Sequence, residues 1–148
     1  MKHRLNFLLL LPIYLIIQGC VITTGSGGGD DLEEVLFDES AKELVVDPSN
    51  EYNFSLMGGN NKITLQGNIQ ELFITGSHNY VVIDEDTHLE NIIITGLHNI
   101  VVQEDELDTL VEEIEIVGDN NFIEVSQYNA LIDAGSDNQV LMTNPSNL

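Results

Sequence analysis

The chain has 148 residues, and its 25 Asp and Glu against 4 Lys and Arg give a formal net charge of −21. A surface this acidic excludes nucleic acid and anionic polymers as electrostatic partners, because phosphate binding needs clustered Lys and Arg. The length allows one small domain, and a hydrophobic content of 43% is normal for a globular chain, so the charge does not imply disorder throughout.

Residues 1–19 have the layout of an export signal. Lys2, His3 and Arg4 precede an apolar run from Leu5 to Ile17, broken only by Asn6 and Pro12. That run has the length of a signal-peptide core and is too short to span a membrane comfortably. It ends at Ile17-Gln18-Gly19-Cys20, which resembles the lipobox of bacterial lipoprotein precursors. The resemblance implies cleavage before Cys20, attachment of acyl chains (palmitate among them) to that cysteine and anchoring to a membrane. Gln18 departs from the pattern, since smaller residues usually stand there. Val21, rather than Asp, follows the cysteine, which by the sorting rule of that family favours the outer membrane where the organism has one. Cys20 is the single cysteine, so it has no partner for an internal disulfide. Loss of the leader removes Lys2 and Arg4 and lowers −21 by two, to −23.

Residues 20–31, with Thr23-Thr24-Gly25-Ser26-Gly27-Gly28-Gly29, read as a flexible tether. Residues 32–50 are expected to form an N-terminal cap. Asp30 and Asp31 before Leu32, Val35 and Leu36 suggest a short helix, or an irregular lead-in. Leu44-Val45-Val46 suggests a strand stopped by Asp47-Pro48-Ser49-Asn50.

Residues 51–143 are organised by a repeat. Gly-x-x-Asn recurs five times, at Gly58 and Asn61, Gly76 and Asn79, Gly96 and Asn99, Gly118 and Asn121, and Gly135 and Asn138. The glycines are spaced by 18, 20, 22 and 17 residues. β-branched runs flank each motif, such as Ile92-Ile93-Ile94 before and Val81-Val82-Ile83 after, and these predict strands. A period near twenty residues predicts a solenoid of about five coils, all-β, in which each coil covers the apolar face of the next. Alternation puts each Asn on the same face as the aliphatics that follow, for instance Asn79 with Val81 and Ile83. Five such amides would stack at about 4.8 Å, forming a ladder of mutually bonded carboxamides, with glycine supplying a positive φ or room for close approach. Parity alone leaves an antiparallel hairpin repeat open, although two-residue hairpin loops prefer Asn-Gly over the central pairs found here. The acidic spacers between coils, Gln66–Glu71 through Glu104–Glu113, belong on the surface, and residues 144–148 form a tail.

The stacked amides resemble the asparagine ladders of right-handed parallel β-helices. Over residues 52–143 the repeat resembles a family of short exported bacterial proteins whose domain has no assigned function. The resemblance implies a fold and an exported location, and no activity.

Outward positions of the second strand of each coil form a possible contact face of Tyr80, Val82, Ile100, Val102 and Phe122. Segment 31–46 packing across it is one expectation; a protein partner or self-association is the other. His78 and His98 fall at equal places in successive motifs. They are weak candidates for zinc or copper ligands, and the plainer reading is a polar turn in which His replaces Asn. Asp84-Glu85-Asp86 and Glu104-Asp105-Glu106 lack the spacing of calcium loops and read as solvated carboxylates. No cofactor is expected, and no catalytic residue. The chain lacks a serine-hydrolase elbow and a zincin helix. Without its leader it has no Arg, and only Lys42 and Lys62, with which to hold an acidic polysaccharide. The sequence therefore suggests a non-catalytic, membrane-anchored envelope module. The alternatives are a binding protein holding a protein or a neutral glycan on its apolar flank, and a polysaccharide-active β-helix enzyme.

Overall fold

A computed structural model describes residues 32–104 and 109–143. The leader, Cys20, the tether, most of the Glu104–Asp108 acidic cluster and the 144–148 tail lie outside the described residues. Among the described residues there is no helix, and every strand pairs in parallel.

The strands are β1 (Glu33–Phe37), β2 (Glu43–Val46), β3 (Tyr52–Leu56), β4 (Lys62–Leu65), β5 (Asn68–Ile74), β6 (Tyr80–Ile83), β7 (His88–Ile94), β8 (Ile100–Gln103), β9 (Leu110–Ile116), β10 (Phe122–Val125), β11 (Gln127–Asp133) and β12 (Gln139–Met142). Odd strands form one sheet in the order β1-β3-β5-β7-β9-β11, and even strands form the other in the order β12-β10-β8-β6-β4-β2. Each coil is therefore an odd strand, a corner, an even strand and a spacer. Over the described residues the chain is a parallel β-solenoid of six turns, and the hairpin alternative is overturned.

Alternation along each strand fills the space between the sheets. Phe37, Leu56, Ile74, Ile94 and Ile116 make one inward column, and Val35, Phe54, Leu72, Ile92 and Ile114 make its neighbour. From the even sheet come Ile63, Val81, Val101 and Ile123, all without solvent exposure. Continuous β-branched burial of this kind is what a parallel strand with one face on the core requires. Gln103 enters an inward column between Ile83 and Val125. Its amide is satisfied there, its oxygen accepting from Ser126 N–H at 2.9 Å and its nitrogen donating to Thr109 Oγ1.

Three expectations are corrected. The 32–50 segment is neither a helix nor a cap across the flank. β1 pairs with β3 and β2 with β4, residue for residue, so it is the first coil. Its alternating burial, with Val35 and Phe37 inward, outweighs the acidic helix-start signal, because burying one face of a strand stabilises more than a first-turn charge. The coil count is accordingly six, not five. The spacers are also shorter than expected, namely 47–51, 66–67, 84–87, 104–109 and 126. The odd strands start early and bury Ile69, Leu89 and Val111 before a bulge that turns two consecutive residues, such as Gln70 and Glu71, outward.

Tyr52 fills the core beside the first spacer and donates its hydroxyl to the Gln66 carbonyl at 2.8 Å. Burial, and then the Asp47 charge, push this phenol well above the usual tyrosine range. A group with a raised folded pKa contributes stability that is complete below its unfolded pKa and is lost above it. Denaturant titrations should therefore show stability falling as pH rises above about 10, with Tyr52→Phe flattening that alkaline loss. Equal alkaline slopes in the two proteins would contradict the assignment.

Candidate functional site

The five corners are built alike. At each corner glycine, a Cβ would lie 1.5–1.9 Å from the carbonyl oxygen of the corner residue one coil earlier, so a side chain is impossible. Glycine is thus required by close approach. The positive φ falls elsewhere, on the third residue of each motif: Asn60, His78, His98, Asn120 and Asp137, with φ between 55° and 59°. Asn, Asp and His are the non-glycine residues that enter this left-handed region most readily. Of the two roles expected of glycine, close approach therefore holds and the positive φ passes to the third residue, which explains the composition of that column.

The carbonyl that excludes the Cβ is the one the asparagine needs. Asn99 Nδ2 donates to Gly76 O at 2.9 Å and to Asn121 Oδ1 at 3.2 Å. Its Oδ1 accepts from Asn79 Nδ2 at 3.1 Å and from Asn79 N–H at 3.0 Å. Both donors and both lone pairs of a fully buried amide are thereby used. Asn61, Asn79 and Asn121 repeat the arrangement. At the first coil Lys42 N–H donates to Asn61 Oδ1 at 3.0 Å. At the last coil Asn138 Nδ2 bonds Gly118 O and, where a further asparagine would stand, the Asp133 carboxylate at 2.9 Å. The predicted ladder residues therefore all meet, and Asp133 is a ladder member that alternation along the strand placed inward without revealing its role.

The ladder's outer neighbour is the positive-φ column. The imidazoles of His78 and His98 stack with centroids 4.8 Å apart and planes within 10°. Both are exposed. Parallel rings do not converge on a shared ion, and among the described residues no three His, Cys, Asp or Glu side chains do so.

On the even sheet the outward column runs Glu43, Lys62, Tyr80, Ile100, Phe122 and Gln139, and beside it Val45, Thr64, Val82, Val102, Glu124 and Leu141. The predicted contact residues are brought together in adjacent positions. Tyr80 is 40% exposed and Ile100 39%, while Phe122 and Val102 are half-buried and Val82 is buried among its neighbours. The described part of segment 31–46 does not cover this stripe, because β2 extends the sheet at its edge instead of crossing its face. Glu43, 2.6 Å from Lys62 Nζ, closes the charged end of the column and holds that ammonium above its usual pKa. A second outward stripe on the odd sheet, Leu36, Phe73, Ile93 and Ile132, was not singled out in the sequence, although the alternation that identified the first would have found it. Ser55 and Glu115 interrupt it.

Comparison with known proteins places residues 56–112 on a family model described as a protein of unknown function (DUF3060). The central coils, with the Gly58, Gly76 and Gly96 corners, are therefore similar to a domain family without an assigned activity. No curated protein and no solved structure matched the chain.

Two substitutions separate the roles of the corner columns. Asn99→Ala strands Asn79 N–H and the Gly76 carbonyl in the core, and should cost about 2–4 kcal/mol in denaturant unfolding, against less for Asn138→Ala at the half-buried end. His78→Asn should leave stability unchanged, as Asn60 does the same task. His78→Val should cost about 1–2 kcal/mol through the left-handed backbone alone. Equal effects of Asn and Val at position 78 would refute the backbone explanation.

Proposed function

We propose that the chain is a lipid-anchored module of the bacterial cell envelope with a structural or interaction role and no catalysis. Three features support this reading. The leader ends in a lipobox-like Ile17-Gln18-Gly19-Cys20, a Gly-rich tether follows, and the remaining chain is a polyanion that stays off anionic headgroups by repulsion. The observation that carries the interaction part is the filled interior. The inward columns of the middle coils are closed by side chains without exposure, so whatever the module meets, it meets on its outer faces. Six rungs at about 4.8 Å span roughly 24 Å, a short stiff post on a flexible leash.

The anchor is tested by growing cells with an alkyne-bearing palmitate analogue and probing the full chain. The wild type should take the label and sediment with membranes, and Cys20→Ser should lose both. Label persisting in Cys20→Ser, or absent from the wild type, would remove the anchor from the proposal.

The exposure of Tyr80 and Ile100 favours a second reading within the same frame, a binding protein that holds a protein or a neutral glycan on the even-sheet stripe. Tyr80→Ser with Ile100→Ser should change unfolding free energy by less than about 1 kcal/mol while abolishing capture of an envelope component. A large loss of stability would return the stripe to a purely structural role.

A further inference from the structure

The two ends of the solenoid differ in charge and in burial. The edge strands of the first coil carry Glu33, Glu34 and Glu43, with Asp38, Glu39 and Asp47 in its turns, and its inward Val35, Phe37, Leu44 and Val46 are buried. The last coil, residues 127–143, holds only two charged residues, Asp133 and Asp137. There Leu131, Ile132 and Leu141 are 40%, 50% and 48% exposed, and Tyr128, Val140 and Met142 are half-buried. In a chain this acidic, it is the one coil whose edge is nearly free of carboxylates, and charged edges are the ordinary means by which sheets avoid pairing.

Among the described residues, both edges at this end are open to main-chain hydrogen bonding. Gln139 and Thr143 give their N–H groups to Asn121 and Val125 of the preceding coil, and Ala134 gives its own to Ile116. In a parallel strand alternate residues turn both backbone groups to the same side. Val140 and Met142 on β12, and Leu131 and Asp133 on β11, therefore point theirs away from the solenoid. Asp133 also marks the end of stacking within one chain. It stands in the inward column below Ile116 and takes the second amide proton of Asn138, so a seventh coil would bury its carboxylate in the core.

We propose that this end face is a dimer interface that takes a second copy of the chain, end to end, about a two-fold axis normal to the sheets. Such an axis keeps each sheet in its own plane and reverses its strands. The axis crosses β11 at Ala130 and β12 near Met142, so β11 pairs antiparallel with β11 of the second copy, the end of β12 meets the end of its equivalent, and one operation engages both open edges and covers Leu131 and Met142. It also places the acidic corner of each copy, Asp133 and Asp137, at opposite ends of the interface. That separation is about 20 Å, the length of a seven-residue strand, which exceeds the Debye length of about 8 Å at physiological salt. Across from each Asp133 lies the start of the other β11, where Gln127 and Tyr128 offer hydrogen-bond donors. A head-to-tail stack would instead set this edge against the carboxylates of β1 and β2. The inference rests on the fold and not on the anchored-module reading.

The test uses two full-length copies coexpressed with different epitopes inserted between the exposed Glu85 and Asp86, solubilised together and purified on one epitope. The second copy should be retained, and more strongly as NaCl rises from about 50 to about 500 mM, since the partners are both polyanions. Leu131→Lys on the end face and Met142→Pro on the open edge should each lower retention about tenfold or more. The circular dichroism of both should be unchanged, because Met142→Pro removes an N–H that bonds nothing among the described residues. Glu34→Lys in the first coil should leave retention as it was. The proposal is overturned if the wild type retains no second copy, if Met142→Pro retains as much as the wild type, or if Glu34→Lys is as damaging as the end-face variants.

Discussion

The structure depends on one contact, the corner of each coil seated on the carbonyl of the corner before it. That oxygen occupies the space a Cβ would need and accepts a proton from the buried amide three residues on. Exclusion and attraction act on the same atom, so the two positions of Gly-x-x-Asn are one requirement expressed twice. Register follows from it. A parallel sheet with one buried face turns inside out if a strand slips by one residue, and here a slip would also leave amides without partners in a dry core. Length differences between coils are consequently pushed away from the corner and into the spacers 66–67, 84–87 and 104–109.

A filled interior moves chemistry to the outside, where stacking multiplies whatever one coil presents. Each outward side chain sits about 4.8 Å from its equivalents above and below, so identical charges would repel along a whole column. The odd sheet avoids this in the column Glu34, Asn53, Glu71, Asn91, Glu113 by alternating acid and amide. Asn53 donates to Glu34 at 2.8 Å, and the like charges fall two rungs apart. The even sheet avoids it by setting Lys62 beside Glu43 and then turning apolar at Tyr80 and Ile100. The same multiplication brings His78 onto His98 and builds the apolar stripes from single residues per coil.

Most of the middle of the molecule was legible because two periodicities agreed. The twenty-residue spacing named the coils, and strand alternation sorted Leu72, Ile74, Val81 and Ile83 inward without further information. What escaped were features governed by neighbours in space. The bulge after Ile69, Leu89 and Val111 breaks alternation, so strands that continue through it looked like acidic spacers. Which of its two expected roles glycine plays stayed open, because local sequence cannot distinguish a backbone twist from a collision with another coil. Asp133 as a ladder partner required knowing that its carboxylate and Asn138 share one corner.

The first coil is the most instructive omission. Its corner, Glu39-Ser40-Ala41-Lys42, has neither Gly nor Asn, yet Ala41 adopts the same left-handed φ of 56° and β2 stays in register with β4. Among the described residues no earlier corner lies against it, so Glu39 keeps its Cβ. Lys42 has only to donate a backbone N–H upward, which any residue but proline does. The glycine and the amide are needed where one coil meets the coil before it. Gly-x-x-Asn therefore counts the interfaces between coils and not the coils themselves, and five motifs specify six turns. The same logic makes the two ends physically unequal: the first corner is relieved of the motif, whereas the last carries it in full and must find a substitute partner for its outermost amide, which Asp133 provides.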